Sequence, residues 1–572
     1  MAAIQMNKIK FNFIVYLSLL SLFGCNNESI VTLSEHSVIY CAEGSPETFN
    51  PQLVTSGTTI DATSNQLYDR LITYQGKENT LTPALAKSWH ETRNGKKITF
   101  YLRKDVPFHQ TDYFTPSRFL NADDVIFSFN RILNSEHPFH LVSGGSYPFF
   151  QNIDLNGLVE KIEKINDYTI RFHLSHADNS FLANLATDYA IILSAEYAEQ
   201  LTKQKMKANI DTHPIGTGPF KLKEYRVGSL IRFYRHERYW REPAKIEQLV
   251  FDITPSNTGR LTKLLAKECD VTAYPIAHKK INQNKSLILE AVTALNVGYF
   301  GFNVKKPPFD NKLVRQAVSY AINKQVLLET VYQGKAELAN SILPNTSWAF
   351  DDSISEHEFN PILAKSLLEV AGFPQGFTMN LWAMPVQRPY NPNAITMAKL
   401  IQADLNNIGI KVKIITFEWN TFLNRLKRGE HQSFLLGWSA DHPDPDNFFS
   451  PMLSCSATHT GSNTTFWCNQ EYDDVIQQAL QTTNLSLRKK YYAQAMKILA
   501  REIPLIPIAH SKRYQARNEN VKGDILAAFG GINFYHVTKE NSLPKTTSTT
   551  KTKTKTKTKN DTSDTASNIG KK

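Results

Sequence analysis

The sequence predicts an α/β fold. Three observations carry that prediction. Stretches with the two-residue alternation of strands interleave with stretches of helical period along most of the chain. In the second half, helix–turn–strand units follow one another. The chain, at 572 residues, is also too long for one simple core, so two or three domains are expected.

The elements can be read in order. "SVIYC" is a first strand. "PALAKSWHETRNGKKITFYLRKDVPFH" reads as a helix end, a strand, an Asn94-Gly95 turn and a second strand, in which Ile98, Phe100 and Leu102 alternate with polar residues. "LNADDVIFSFNRIL" has helical spacing, with Asn121 or Asp123 available as N-cap. "DYTIRFHL" alternates at Ile170, Phe172 and Leu174. "HPIGTGPFKLKEY" is a turn into a strand. Its Gly216-x-Gly218 has no third glycine and no following helix, so it reads as a plain turn and not a dinucleotide loop. "LNVGYFGFNV" is an apolar strand. "NKLVRQAVSYAINKQVLLETVY" is read as one helix with Val314, Val318, Ala321 and Ile322 on one face. "NAITMAKLIQADLNNIGIKVKIITFEW" is a helix, a Gly409 stop and a strand. "LRKKYYAQAMKILAREIPLIPIAHS" is a long helix ended by Pro504, then an extended strand.

The ends differ from the body. Net charge is +11, of which the first 25 residues carry +2 and the tail from Lys545 carries +6, leaving +3 for everything between. A nucleic-acid binder concentrates charge on folded elements, so no nucleic-acid partner is expected. Lys8 and Lys10 precede the apolar run "FNFIVYLSLLSLF", which is short for a membrane span and suits a signal peptide. The run ends at Leu22-Phe23-Gly24-Cys25, which resembles the bacterial lipobox. Residues 1–25 are therefore expected to be a lipoprotein signal peptide with Cys25 as the lipidated residue. Residues 542–572, rich in Lys and Thr, have nothing apolar to bury and are expected to be disordered. Of five cysteines, Cys25, Cys41, Cys269, Cys455 and Cys468, four remain if Cys25 takes lipid. An even number suits disulfides in an exported protein, with three pairings possible. Cys455 with Cys468 is the local one, and Cys41 would then bridge to Cys269.

Catalytic patterns are missing. There is no HExxH, GxSxG or Walker loop, and His236-Glu237 lacks a second histidine. Two clusters remain. In "WAMPVQRPYNPN" a single Arg388 sits on a proline-stiffened loop, suited to bidentate capture of a carboxylate. In "SFLLGWSADHPDPDNFF" a buried strand leads to Asp441, at a strand end where α/β proteins place ligand contacts. Asp441, Asp444 and Asp446 could be read as oxygen ligands of a metal, but the glycine and distal glutamate of an EF-hand are missing. Asp444 and Asp446, flanked by proline and asparagine, read as turn and capping residues.

"YCAEGSPETFNPQLVTSGTT", "LNADDVIFSF", "VSGGSY", "IGTGPF", "LNVGYFGFNV", "WAMPVQRPYNPN" and "GWSADHPDPDNFFSPMLSC" together resemble the periplasmic dipeptide-binding proteins of the peptide/nickel solute-binding family, which serve ABC importers. The match spans about Tyr40 to Val537. Haem-binding and antimicrobial-peptide-uptake proteins share these motifs. The resemblance implies the type II periplasmic-binding-protein fold, two lobes with an extra inserted domain. Domain I would comprise residues 26–70, 221–296 and 517–541, domain II residues 71–220, and domain III residues 297–516. It implies that Asp441 binds a ligand's ammonium group and Arg388 its carboxylate. Main chain near Thr55, Ser56, Gly57 and Trp438, with Tyr390, would line the cleft. It also implies the Cys41–Cys269 and Cys455–Cys468 disulfides. The expected function is peptide capture for an inner-membrane permease, with no catalysis, cofactor or metal, by a periplasmic, lipid-anchored monomer. Haem, glutathione or antimicrobial peptides are alternative cargoes, and a metal-dependent hydrolase is an alternative of another class. One departure stands out. The family's usual run G-D-N-G-D-P-D is here Ala440-Asp441-His442-Pro443-Asp444-Pro445-Asp446, which puts an imidazole beside the anchoring acid.

Overall fold

A computed structural model describes residues 36–540 apart from 77, 78, 355, 356 and 461. The signal-peptide, Cys25 and tail expectations lie outside the described residues.

A twelve-stranded mixed sheet runs through the molecule. Along its path lie the strands Lys411–Ile415, Thr378–Ala383, Ser433–Ser439, Asn296–Phe302, Leu505–Asn518, Val271–Ala273, Ser37–Ala42, Gln248–Ile253, Leu230–Arg235 and Phe220–Arg226. The fourteen-residue strand Leu505–Asn518 joins its two halves. Its start pairs with Asn296–Phe302, where Gly301 faces Leu505, and its end pairs with Val271–Ala273, where Val271 faces Arg517. Hydrophobic burial divides in the same way. One core gathers side chains between Val38 and Ala273 and returns to Val521–Val537, while another gathers those from Leu295 to Ala509. The first core also covers a separate antiparallel sheet made of Ala86–Glu91, Lys97–Leu102, Thr169–Leu174 and Val159–Asn166.

Local sequence explains most elements. The helix Ala122–Leu133 starts at Asn121, whose side chain accepts from the Asp123 amide, and Asp124 completes the capping box. The helix Leu485–Glu502 ends at Ile503, directly before Pro504. Two readings need correction. The "PALA" stretch is not a helix end: Thr80–Pro83 is a strand paired with Ile72–Gln75, and Ala86 begins the next. The helix read through 312–332 is two, Lys312–Ala321 and Lys324–Thr330. Asn323 breaks it because its side chain caps the second helix through the Val326 amide, while its own amide donates to Asp404.

The Gly216-x-Gly218 turn has a packing cause. A Cβ at either position would collide with the backbone of Leu67, so the glycines permit close approach of two chain segments. Cys455 and Cys468 are disulfide-bonded, with Cα atoms 4.5 Å apart. Cys41 and Cys269 have Cα atoms 5.9 Å apart, within disulfide range, and both are fully buried.

Candidate functional site

Asp441 follows the strand Ser433–Ser439 at the face where the second core meets the first. Its loop is held rigidly. The Asn447 side-chain oxygen accepts from the Asp441 amide and from Trp438 Nε1, each at 3.0 Å. Asp444 caps the short helix Pro445–Phe448 by accepting from the Asp446 amide. Both Asp444 oxygens also take Arg488 Nη2 at 2.9 Å. Asp446 accepts from Ser450 at 2.6 Å. The turn-making reading of Asp444 and Asp446 holds, with a buried ion pair that the sequence did not suggest.

Asp441 itself looks outward. Tyr189, from the first half, donates its hydroxyl to Asp441 Oδ1 at 3.2 Å. The Tyr189 ring is fixed by stacking on Phe149 at 4.3 Å. Among the described residues no cationic side chain pairs with Asp441. Burial, with the Asp188 charge adding to it, pushes its carboxyl up to about 7. His442 is buried and bridges the same gap. Its Nδ1 accepts from the Asp444 amide, so Nε2 carries the proton and donates to Asn184 Oδ1 at 3.0 Å. Burial lowers the imidazole to about 4.

Arg388 sits on the loop after the strand Thr378–Ala383. Arg388 and Asn391 exchange backbone hydrogen bonds, Tyr332 donates to the Tyr390 carbonyl at 2.7 Å, and Ser511 donates to the Pro389 carbonyl. Two glycines admit this loop: a Cβ on Gly298 would fall on the Tyr390 carbonyl, and one on Gly437 on the Tyr390 ring. Tyr390 is buried, and its hydroxyl is pushed up to about 12. The Arg388 guanidinium lies 5.2 Å over the Trp419 ring. One of its nitrogens, Nη1, donates to Glu43 Oε1 and to the Gln387 carbonyl, both at 3.0 Å.

Between these ends lie charges that the sequence reading missed. Asp188 pairs with Arg70 at 2.7 Å and also accepts from the Gly531 amide. Asp61, on the helix Gly57–Leu67, accepts from the Ile532 amide. Burial raises the Asp61 carboxyl to about 6, against the pull of Arg513. Arg260 is buried, donates to the carbonyls of Ala273, Thr254 and Pro255 and to Asn257, and has no carboxylate hydrogen-bonded to it among the described residues. Thr55, Ser56 and Gly57 form the approach to the helix carrying Asp61. Ser56 caps by position only, its hydroxyl lying 2.9 Å from that of Thr58. Glu43 lies inside the quoted "YCAEGSPETF" run. Tyr189, Arg260 and Arg70 had no local signal, because they become polar neighbours of the site only through tertiary folding.

Between the two halves the structure thus places an acid with no cation paired to it and a guanidinium whose Nε and Nη2 have no hydrogen-bond partner, both among the described residues. The chain belongs to the bacterial extracellular solute-binding proteins of family 5, whose middle region matches residues 80–460. It has the type II solute-binding fold. It is 44% identical over 508 residues to the dipeptide-binding protein of Escherichia coli, covering 88% of this chain and 95% of that one. It is 41% identical to heme-binding protein A of Haemophilus influenzae, over 88% and 92% of the two chains. The crystal structure of the dipeptide binding protein from Pseudoalteromonas sp. SM9913 in complex with Met-Leu is similar at 48% identity. It covers 88% of this chain and 100% of that one, with a TM-score of 0.85.

Proposed function

We propose that the chain captures dipeptides or short peptides by their two charged ends and delivers them to the permease of an ABC importer. Asp441 takes the ammonium group and Arg388 the carboxylate. Tyr390 and main chain near Thr55, Ser56, Gly57 and Trp438 line the space between. The observation that carries this reading is the pairing of Asp441, which has only neutral donors, with Arg388, whose Nε and Nη2 have no hydrogen-bond partner among the described residues. A buried charge is costly unless matched, so each end favours a ligand group of opposite sign. Closure of two halves joined by the Leu505–Asn518 strand would enclose the ligand as a hinge motion, and the permease would read the closed form. The three-piece domain I, inserted domain II and domain III given above belong to this proposal. So do export to the periplasm, lipid anchoring through Cys25 and action as a monomer.

A haem cargo, raised by the haem-binding relative, gains nothing from His442, because both of its ring nitrogens are taken. Native mass spectrometry with added Ala-Ala tests the proposal. One-to-one adducts are expected, and no adduct at millimolar dipeptide would contradict it.

A further inference from the structure

The Glu43–Arg388 pair spans the two halves. Glu43 directly follows the strand Ser37–Ala42, which belongs to the first core, and Arg388 stands on a loop of the second. Both side chains are mostly buried, at 15% and 19% exposure for Arg388 and Glu43. Beside them Asn257 donates across the same gap to Gln387 Oε1 at 2.7 Å. The contact is one-sided. Glu43 takes only Nη1, and Nη1 is also tied to the Gln387 carbonyl, so the guanidinium is held in place with its Nε/Nη2 edge left for another acceptor.

We propose that Glu43 is a specificity-determining residue of the carboxylate end: it orients Arg388 from the opposite half and offsets part of its charge. This rests on the reading of Arg388 as the carboxylate anchor. A ligand carboxylate on the free edge lies beside a second carboxylate, and the repulsion weakens capture of free acids. Arg260, Arg388, Tyr40, Tyr274, Tyr390 and Asp61 are charged or titratable groups that act on Glu43 or surround it. Arg513 offsets Asp61, and Arg260 has no carboxylate hydrogen-bonded to it among the described residues, so the Arg388 and Arg260 guanidiniums stand against Glu43 plus one ligand carboxylate. The charge at this end closes at one ligand carboxylate. Burial raises Glu43, and Arg388 and Arg260 draw it back down.

The test compares Ala-Ala with Ala-Ala-amide by calorimetry on the wild type, E43Q and E43A. The Gln side chain can still accept from Nη1, so orientation survives while the charge is lost. At an effective dielectric near 20, a like charge within about 10 Å predicts that E43Q binds the free acid at least tenfold more tightly. The amide should change little, so the acid-to-amide ratio widens. E43A, which also loses the orienting acceptor, should gain less than E43Q. If both ligands shift equally in E43Q, Glu43 is only a structural tie and the inference falls, while the Arg388 reading stands. If the wild type does not distinguish acid from amide, Arg388 is not the carboxylate anchor and both fall.

Discussion

Asp444 and Asp441 stand three residues apart on one loop and have opposite surroundings. Asp444 is closed off inside its own half. Arg488 covers both its oxygens, and the Arg488 side chain is only 6% exposed. Arg131 and Asp211 form a similar pair in the first half, with two parallel contacts at 2.8 and 2.6 Å and side chains 0% and 3% exposed. Asp441 has no such partner among the described residues and reaches across to Tyr189. The difference teaches how to separate structural charge from functional charge in this molecule. A saturated pair within one half holds that half together. On the proposed function, a charge left with neutral or shared partners between the halves is where a ligand group binds.

The largest expected effect breaks the structural side. Asp211→Ala leaves Arg131 buried and unpaired, and should cost about 3–5 kcal/mol of stability in chemical denaturation. The acid-to-amide selectivity of the material that still folds should be unchanged. The functional side behaves in the reverse manner. Asp441→Ala and Arg388→Ala should each weaken dipeptide binding by roughly 2–5 kcal/mol in calorimetry and cost less stability than Asp211→Ala, with Arg388→Ala the more costly of the two because it leaves the mostly buried Glu43 without its partner. A smaller effect belongs to His442. His442→Ala removes one hydrogen bond across the gap, to Asn184, and should reduce affinity by about 1 kcal/mol for acid and amide ligands alike.

The smallest effect near neutrality is in the pH profile. Asp441 stands near 7, above an ordinary carboxyl, so the ligand-free protein holds a proton there at mildly acidic pH. An ammonium partner favours the ionised form, so binding expels that proton. Affinity should therefore rise with pH up to about 7, then fall above about 8 as the peptide's α-amino group loses its own proton. Asp441→Asn should flatten the acidic limb of the calorimetric profile. Without ligand the sign is the opposite: a raised carboxyl favours folding only while protonated, so its contribution to stability declines as pH rises from about 4 through 7.

Much of this was legible in the chain itself. The strands with clean alternation, the Asn121 cap and the stop at Pro504 are local signals, and they stand as read. The break at Asn323 was hidden, because the apolar face from Val314 to Ile322 looks continuous and only the Asp404 contact reveals the cost of interrupting it. Asp441 and Arg388 could be singled out because stiff, motif-bearing loops carry them. Their partners could not. Tyr189 lies 252 positions from Asp441 and Glu43 lies 345 from Arg388, and no periodicity encodes such pairs. His442, the departure from the family's usual run, is a buried bridge with both nitrogens occupied.

The central claim is that two opposite charges on facing loops select a zwitterion. It is tested most directly by titrating the protein with Ala-Ala, N-acetyl-Ala-Ala and Ala-Ala-amide under identical conditions. The account predicts that the free dipeptide binds and that each capped form loses at least about tenfold, the equivalent of about 1.4 kcal/mol. Equal affinity for all three would contradict it.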